Sequence, residues 1–383
     1  MIENSLENSL LRNNFVFNKY FKIWWFQIIQ TLISSGFIII LYVKFFQNSI
    51  TLPQILLAEA IATICSTLYL IFARKINFRL NIILGFLSIA FGFSILFVFG
   101  ISFPFFVIYS IFKLMSSALF FSVYNILFFR ETKDKKELHR VTLYWAIGIV
   151  AGVLAPFVGS YILTKFGLNI FIIVAVLIVL FAIFLVKNVK QESITYSPKT
   201  ILKEIKGLRI LNLFDGAFHK IISFVIPIFA LLYINTEFDF AKFLSLVSIV
   251  SLFFAFRLAK KFDKTRARMP YIWLLSLVSF CIMLGFYFTD GFVYFLIFVL
   301  VYKAVTVLFD PLRFNMILDH KKNTGESWIA REIYLSMGRA ILFLILFVML
   351  HFNLVKEVYL FFALLYLLFP FIVKNKKIYA KIS

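Results

Sequence analysis

Charged residues are scarce in this chain. They make up 15% of its 383 residues, whereas 62% are hydrophobic and the mean hydropathy is +0.97. An ordinary soluble domain is about 45–50% apolar, so this chain has too little polar surface to cover a water-soluble protein of its length. The composition therefore excludes a cytosolic enzyme and a disordered chain.

Cysteines and phosphate-binding motifs are also lacking. The two cysteines, Cys65 and Cys281, lie in separate apolar runs without a Cys or His at metal-ligand spacing, which excludes a disulfide scaffold and predicts no metal site. Each is interpreted as a small core residue. No Gly-x4-Gly-Lys-Ser/Thr run occurs, and a pump driven by ATP needs one.

Long apolar runs dominate the sequence. A membrane-spanning helix needs about 20 mostly apolar residues, and such runs recur twelve times. The first 22 residues lack the basic start, apolar core and cleavage site of a removable signal peptide, so the first run is expected to remain in the membrane. The predicted spans are 23–43, 52–73, 80–99, 103–129, 141–164, 168–186, 212–233, 239–257, 270–289, 292–313, 328–351 and 357–373.

Basic residues fall on one side of these spans. The N-terminus, the loops after the even-numbered spans and the C-terminus together hold 31 of the 39 Lys and Arg residues. The positive-inside rule then predicts an integral, multi-pass protein of the cell membrane with both termini in the cytoplasm. The net charge of +21 is spread over many short loops, which argues against nucleic acid as a partner and indicates contact with the lipid bilayer.

The longest polar interruption separates the first six spans from the last six. Ile201, Leu202, Ile205 and Leu208 occur in it at helical spacing and predict a short amphipathic helix at the inner membrane surface. The predicted domains are a six-helix bundle (1–186), a cytoplasmic linker (187–211) and a second six-helix bundle (212–383).

A weak internal repeat relates the two halves. Lys113 in the fourth span recurs as Lys303 in the tenth, 190 residues later, and Asn125 recurs as Asn315 at the same offset. The basic loops after the second and eighth spans superpose at nearly this offset. Because six spans return the chain to the same side, the halves are predicted to be parallel repeats.

The two superposed loops carry a recognisable pattern. The second copy keeps Leu258, Ala259, Lys261 and Lys264, with Asp263 where the pattern has its second Gly, and the first copy keeps Ala73, Lys75 and Arg79. Together they are similar to the Gly-x-Leu-Ala-Asp-Arg-x-Gly-Arg-Arg pattern of the major facilitator superfamily. Arg74 and Lys260 replace its aspartate, so the salt bridge made through that residue is not expected. The resemblance implies gating loops at Arg74, Lys75, Lys260, Lys261 and Asp263.

The fifth span has two interpretations. Ala155-Pro156-x-x-Gly159-Ser160 is similar to the Gly-Pro-x-x-Gly-Gly motif of exporters in that family, which implies export. The residues alone indicate close helix packing, because small side chains recur every three or four positions and Pro156 permits a bend. These small residues are Gly148, Gly152, Ala155 and Gly159.

The resemblance covers nearly the whole chain and implies a fold. That fold is an all-α membrane protein whose 12 transmembrane helices form two six-helix bundles, related by a pseudo-two-fold axis along the membrane normal. Spans 1, 4, 7 and 10 line a central cavity, spans 2, 5, 8 and 11 flank the interface, and the other four are peripheral. The ionisable residues agree with this scheme, since the interiors of the third, sixth, ninth and twelfth spans contain none.

Polar side chains within the spans mark a candidate site, because a charge at mid-bilayer costs about 2.5–3.5 kcal/mol. Lys113, Lys303 and Arg339 lie near the midplane and outnumber the carboxylates there, which favours an anionic or zwitterionic substrate. The candidate proton carriers are Glu59, Asp310 and Glu332. The candidate substrate-binding residues are Gln27, Gln30, Ser34, Lys113, Ser117, Lys303, Thr306 and Arg339.

The same charges have a structural interpretation. They would then pair with one another and hold helices together, for instance Glu59 with Lys113 or Asp310 with Arg339. Three further ionisable residues of the seventh span lie close enough to its cytoplasmic end to extend into the interface. They are Asp215, His219 and Lys220.

The sequence thus favours a secondary transporter that works by alternating access, as a monomer. Its expected partners are a small-molecule substrate and the bilayer, and its expected energy source is a proton or ion gradient without a bound cofactor. A flippase or exporter of an anionic amphiphile or lipophilic drug, and a scaffold that has lost transport, remain alternatives. An enzyme acting on lipid-linked sugars is disfavoured because the outer loops are short and hold few carboxylates.

Overall fold

The computed structural model describes residues 25–131, 137–186, 189, 191–262, 268–318 and 324–376. Side chains are described for these residues except at 131, 137–147, 256–262 and 315–318. The described chain is almost entirely helical, with one pair of short strands.

In the described part of the chain, six helices precede the long polar interruption. They are α1 (Trp25–Gln47), α2 (Leu52–Phe72), α3 (Phe78–Phe99), α4 (Phe103–Glu131), α5 (137–166) and α6 (168–185). Helices α5 and α6 form one run, Glu137–Leu185, that is broken at Gly167, whose φ of 79° lies in the left-handed region that glycine tolerates.

Seven helices follow. They are α7 (Pro198–Glu204), α8 (Arg209–Ala230), α9 (Glu237–Phe262), α10 (Met269–Phe288), α11 (Phe292–Leu318), α12 (Gly325–His351) and α13 (Glu357–Asn375). Strand β1 (Lys75–Asn77) pairs antiparallel with β2 (Ser193–Thr195).

Eleven runs of the described helices are long and apolar enough to cross a membrane. One of them, Gly148–Leu185, is divided by the break at Gly167 into parts of α5 and α6. Every helix except α7 therefore contains a candidate span. The predicted twelve spans are confirmed, with boundaries shifted by a few residues. Capping explains several of the starts. Thr51 and Gln54 form a capping box on α2, and the Thr324 side chain accepts a hydrogen bond from the Ser327 amide at the start of α12.

The helices form two bundles of six. The bundles meet where α2 packs on α12 and α5 packs on α9. Within each bundle, α1 packs on α5 and α8 packs on α12. Helices α3, α6 and α10 expose large apolar side chains, among them Phe91, Leu177 and Leu274, each more than half exposed. Such outward-facing apolar surface suits contact with lipid.

Glycines allow two close crossings, one in each bundle. A Cβ on Gly159 of α5 would lie 1.5 Å from the carbonyl oxygen of Gly36 of α1, so the two backbones touch. In the second bundle, a Cβ on Gly216 of α8 would lie 2.1 Å from the Leu335 carbonyl oxygen of α12. Only a residue without a Cβ permits such approaches.

The segment between the bundles contains the predicted amphipathic helix, which is α7, with Ile201 buried and Ile205 buried just beyond its end. It also contains β2, which the sequence did not predict. Both lie on the face of the protein where α1 begins and α13 ends, which we call the terminal face. The other side is the opposite face.

Candidate functional site

One cavity of about 430 Å³ lies between the two bundles. Its described lining comes from α1, α2, α4 and α5 of the first bundle and from α8, α9, α11 and α12 of the second. Within the described part of the chain, α3, α6, α10 and α13 contribute nothing to it. The residues that form the cavity are therefore on the helices that the resemblance assigned to the cavity and the interface.

The first bundle contributes a closed cluster of three side chains. Lys113 forms an ion pair with Glu59 and donates a hydrogen bond to the Tyr42 hydroxyl over 2.6 Å. That hydroxyl donates to Glu59 Oε1 over 2.6 Å. Glu59 is 1% exposed and Lys113 is 6% exposed, so the lysine and the carboxylate compensate each other's charge away from water. The pairing expected for these two residues under the structural interpretation is present.

The second bundle contributes a chain of ion pairs. Arg331 Nη2 donates to Asp215 Oδ2 over 2.9 Å, and Arg313 Nε lies 3.6 Å from Asp215 Oδ1. Arg313 also pairs with Asp310, three residues away on α11. Asp215 is thus shared by two arginines, and Arg313 is shared by two carboxylates.

A separate ion pair lies on α12, where Arg339 Nη1 donates to Glu332 Oε1 over 2.7 Å. The predicted pairing of Asp310 with Arg339 is therefore wrong. Each of these two residues has a partner on its own helix at a spacing of three or seven residues, and those partners are reached without crossing the cavity.

Two lysines of the second bundle line the cavity without a carboxylate. Lys220 and Lys303 form no ion pair within 4.0 Å with any described residue. Lys220 Nζ lies 5.9 Å from the centre of the Phe224 ring, a distance at which an aromatic ring attracts a cation only weakly. Among the Lys and Arg side chains of the described lining, these two are the ones without an ion-pair partner.

The prediction that three ionisable side chains of α8 extend to the cytoplasmic membrane interface is wrong. Lys220 is the twelfth residue of the α8 segment that begins at Arg209, and the following residues continue the helix to Ala230. The side chains of Asp215, His219 and Lys220 all line the cavity. The predicted start at residue 212 placed them too near the membrane surface.

Most of the predicted polar lining is where the sequence placed it. Gln27, Gln30, Ser34 and Ser117 line the cavity. Gln27 is held by the Tyr124 hydroxyl, which donates to its Oε1 over 2.6 Å. Thr306 is an exception, because it is buried outside the cavity lining and its hydroxyl donates to the carbonyl oxygen of Lys303 on its own helix.

The small-residue motif of α5 serves two purposes. Gly159 and Ala155 contact Gly36 of α1, as the packing interpretation predicts. Gly148, Gly152 and Pro156 line the cavity. A Cβ on Gly148 would lie 3.6 Å from Gln27 Nε2, an ordinary contact distance, so this end of the motif keeps room in the cavity beside α1 rather than allowing backbone contact.

The predicted gating loops are only partly described. Arg74 is exposed and has a left-handed φ of 54°, and Lys75 is exposed in β1. Lys260 and Lys261 lie in the backbone of α9, but their side chains are outside the description, and Asp263 lies outside the described residues.

Arg313 and Arg331 are functional candidates that the sequence reasoning missed. Both lie at the cytoplasmic ends of their predicted spans and were counted with the basic residues of that side. Helix α11 continues to Leu318 and α12 begins at Gly325, so both arginines lie inside helices, are 4% and 6% exposed, and line the cavity. Tyr42 was also missed, since a tyrosine in an apolar run carries no distinguishing signal.

Solved structures share this architecture. The chain matches an E. coli fucose:proton symporter at 14% identity and a TM-score of 0.61, over 94% of this chain and 97% of the other. It matches a proton:xylose symporter at 12% identity and a TM-score of 0.67, over 93% and 95%. It matches a human organic anion transporter at 11% identity and a TM-score of 0.62, over 94% and 98%.

No protein-family model matches the chain, and a search of curated proteins finds no match. The structural matches establish its fold: two bundles of six membrane-spanning helices around a central cavity. This is the fold of the major facilitator superfamily, and the fold class predicted from the sequence is confirmed.

Proposed function

We propose that this protein is a secondary transporter that moves a small anionic solute across the cell membrane by alternating access. The observation that carries the proposal is the charged cavity between the two bundles. A central site at the junction of two repeats becomes accessible from each side in turn when the repeats rock about it. The fold shared with symporters and with an organic anion transporter supports the same proposal.

The charge balance of the cavity supports an anion. Its described lining has six basic side chains and four carboxylates. The basic set is Lys113, Lys220, Lys303, Arg313, Arg331 and Arg339. An uncompensated charge is costly in a low-dielectric site, so a solute that supplies negative charge is stabilised there.

Contacts between the bundles occur on both sides of the cavity. Towards the opposite face, Lys44 Nζ of α1 lies 2.6 Å from Glu237 Oε1 of α9. Towards the terminal face, the Phe129 ring of α4 stacks on Trp328 of α12 with 4.7 Å between ring centroids. Alternating access requires the contacts on one side of the cavity to separate while those on the other side are kept.

Proton coupling would use carboxylates that already contact basic groups. A bound anion competes with Glu59 for Lys113, and a carboxylate that loses its lysine takes up a proton more readily. Asp310 and Glu332 are placed in the same way beside Arg313 and Arg339. We propose proton coupling with export as the direction, both termini in the cytoplasm, and a monomer without a bound cofactor.

Electrical recording from proteoliposomes tests the proposal. The purified protein is reconstituted, a pH gradient is imposed, and carboxylates, phosphate, neutral sugars and lipophilic cations are added in turn while charge movement is measured. Anions are expected to give a current that a Lys220→Gln/Lys303→Gln variant loses. Lys242→Gln, which changes an exposed lysine paired with Asp239, is the matched control and should keep it. Currents with sugars or cations only would contradict the proposal.

A further inference from the structure

We infer that the solute carries two negative charges, and that Lys220 and Lys303 are the residues that select it. This inference rests on the proposed function and names the substrate class of the same cavity. Each of the four lining carboxylates already has a basic partner within 4.0 Å. The positive charge left for a ligand is therefore that of two lysines.

The position of the two lysines supports one shared ligand. Lys220 lies on α8 and Lys303 on α11, both in the second bundle, and both line the same cavity. Pockets of about 300–1,000 Å³ hold small organic ligands, so a cavity of about 430 Å³ accommodates a small dicarboxylate or an organic phosphate. A monoanion would leave one buried ammonium group uncompensated, and that group would oppose binding.

Paired ligands test the charge requirement directly. Dissociation constants at pH 8 are measured in detergent for succinate, for monomethyl succinate and for propyl phosphate, which is doubly charged at this pH because the second phosphate pKa is about 6. At least one dianion is expected to bind about tenfold or more tightly than the monoester, and the two dianions distinguish a dicarboxylate from a phosphate site. Both Lys220→Gln and Lys303→Gln should reduce that ratio to near one, while Lys242→Gln should preserve it.

The outcomes separate this inference from the proposed function. Equal binding of succinate and its monoester, or a dianion preference that survives both lysine substitutions, would overturn the dianion inference and leave anion transport standing. No binding of any anion by a folded protein would overturn both. Folding of each variant is checked by its thermal unfolding midpoint.

A different set of contacts carries a second inference, which concerns the segment 192–204, here called the strap. Its β2 strand pairs with β1, with Ile194 opposite Ile76 and Thr195 opposite Lys75. Outside the strands, the Tyr196 amide donates to the Arg74 carbonyl oxygen over 2.8 Å. The Tyr196 hydroxyl also donates to the Leu70 carbonyl oxygen. The start of the strap is therefore bonded to the first bundle.

The rest of the strap contacts the second bundle. The Tyr334 hydroxyl of α12 donates to the Leu202 carbonyl oxygen of α7 over 3.0 Å, and Ser327 Oγ lies 3.3 Å from Glu204 Oε1. Between these ends, a Cβ on Gly325 at the start of α12 would lie 2.0 Å from Ile194 Cδ1. Ile194 thus packs directly against Gly325, where any larger residue would displace it.

The geometry points to a latch that holds the two bundles together at the terminal face. Its attachment to the first bundle includes the backbone hydrogen bonds between β2 and β1. Its described contacts with α12 include two side-chain hydrogen bonds, the Ile194 contact and the packing of α7, but no hydrogen bond between backbones. The α12 side is therefore assigned as the side that separates. Opening of the cavity towards the terminal face requires the strap to leave α12 while it stays on β1.

Two cysteine pairs test the latch in a Cys65→Ala/Cys281→Ala background. Oxidation of Ile194→Cys with Gly325→Cys joins the strap to α12 and is expected to abolish the transport current, which a reductant restores. Oxidation of Asn77→Cys with Ser193→Cys, a cross-strand pair that joins β1 to β2, should leave the current unchanged. Full transport by the oxidised first pair would overturn the latch.

A second measurement does not depend on transport. Ser251→Cys in the cavity is labelled by a membrane-impermeant maleimide added at the terminal face. Because Gly325→Ile displaces Ile194 and Tyr334→Phe removes a hydrogen bond, each should raise the labelling rate by about fivefold or more by populating the open state. Lys199→Ala, at an exposed position of the strap, is the control and should not change the rate. An unchanged rate in both latch variants, with folding intact, would also overturn the inference.

Discussion

The two bundles contribute charge to the cavity in different ways. The first supplies one lysine and one carboxylate, Lys113 and Glu59, joined through Tyr42 into a closed cluster. The second supplies five basic side chains against three carboxylates, arranged as a chain with shared partners. The charges that the first bundle contributes to the cavity lining therefore cancel, and the excess positive charge of the described lining comes from the second bundle.

This difference predicts that the charges of the first bundle mainly affect stability and that those of the second mainly affect binding. A single buried pair has no substitute partner, so each member depends on the other for compensation. In the chain of the second bundle, Arg313 retains Asp310 when Asp215 is lost. We therefore expect the first bundle to be the more sensitive to loss of one charge, and the second to determine which solute binds.

The largest effect is expected from breaking the closed cluster. Glu59→Leu leaves Lys113 buried without a carboxylate and should lower the free energy of unfolding by about 3–5 kcal/mol. The double variant Glu59→Leu/Lys113→Leu removes both charges and should recover most of that loss. Equilibrium unfolding in mixed micelles measures both. A double variant as unstable as the single one would show that packing, and not charge compensation, holds this cluster together.

A smaller loss is expected in the second bundle. Asp215→Asn removes the carboxylate partner of Arg331 but leaves Arg313 paired. Arg331 also keeps its contact with the Phe314 ring, 4.3 Å from the ring centre. The free energy of unfolding should therefore fall by about 1.5–3 kcal/mol, the range for a hydrogen bond to a charged group. The same substitution adds positive charge to the cavity and should tighten dianion binding. Calorimetry of succinate binding measures whether the dissociation constant of this dianion falls. Asp239→Asn, at an exposed pair with Lys242, is the control and should change neither quantity.

Adding a Cβ at the glycine crossings should lower stability by a similar amount in the two bundles, even though the charges of the bundles differ. Gly159→Ala places a Cβ 1.5 Å from the Gly36 carbonyl oxygen, and Gly338→Ala places one 2.0 Å from the Leu213 carbonyl oxygen. Each should cost about 1–3 kcal/mol through overpacking. Gly148→Ala, where the new Cβ meets Gln27 Nε2 at 3.6 Å, should be tolerated. The thermal unfolding midpoint should fall in the first two variants and stay unchanged in the third.

The smallest effect is expected at an exposed pair of the second bundle. Lys356 Nζ donates to Asp290 Oδ2 over 2.8 Å at the opposite face, and this hydrogen bond raises the pKa of Lys356 above its ordinary value. A raised lysine pKa favours folding at neutral pH, and that contribution is lost as the pH rises through the lysine's pKa. Because both groups are solvated, Lys356→Ala should leave the thermal unfolding midpoint at pH 7 unchanged. A decrease as large as that of Asp215→Asn would contradict the distinction between buried and exposed pairs.

Hydrophobic periodicity and loop charge were sufficient to predict the spans, because the bilayer sets both the length and the composition of a crossing helix. The same reasoning placed Gln27, Lys113, Lys303 and Arg339 in the cavity, since an ionisable or polar residue inside a span must face protein or water. Errors arose where a helix end was misjudged. Arg313 and Arg331, at the ends of their predicted spans, were counted with the basic loops, although the helices extend beyond both residues and bury them.

Charge pairing could be predicted only in part. Glu59 and Lys113 were proposed as partners and are in contact, but Asp310 was assigned to Arg339 and instead pairs with Arg313. A pairing between helices depends on helix rotation and depth to within a few ångströms, which composition and periodicity do not specify. The β1–β2 pair was missed because strands of three residues are too short to show an alternating pattern.

The sequence by itself determined that this protein has twelve membrane-spanning helices and places basic residues inside them. These properties follow from the solvent, since lipid admits only long apolar helices and makes each buried charge costly. Only the tertiary structure decided which charges compensate one another, which two lysines of the described lining have no ion-pair partner, and how the strap joins the bundles. Those properties depend on contacts between residues distant in the chain, and such contacts form only when the helices are packed together.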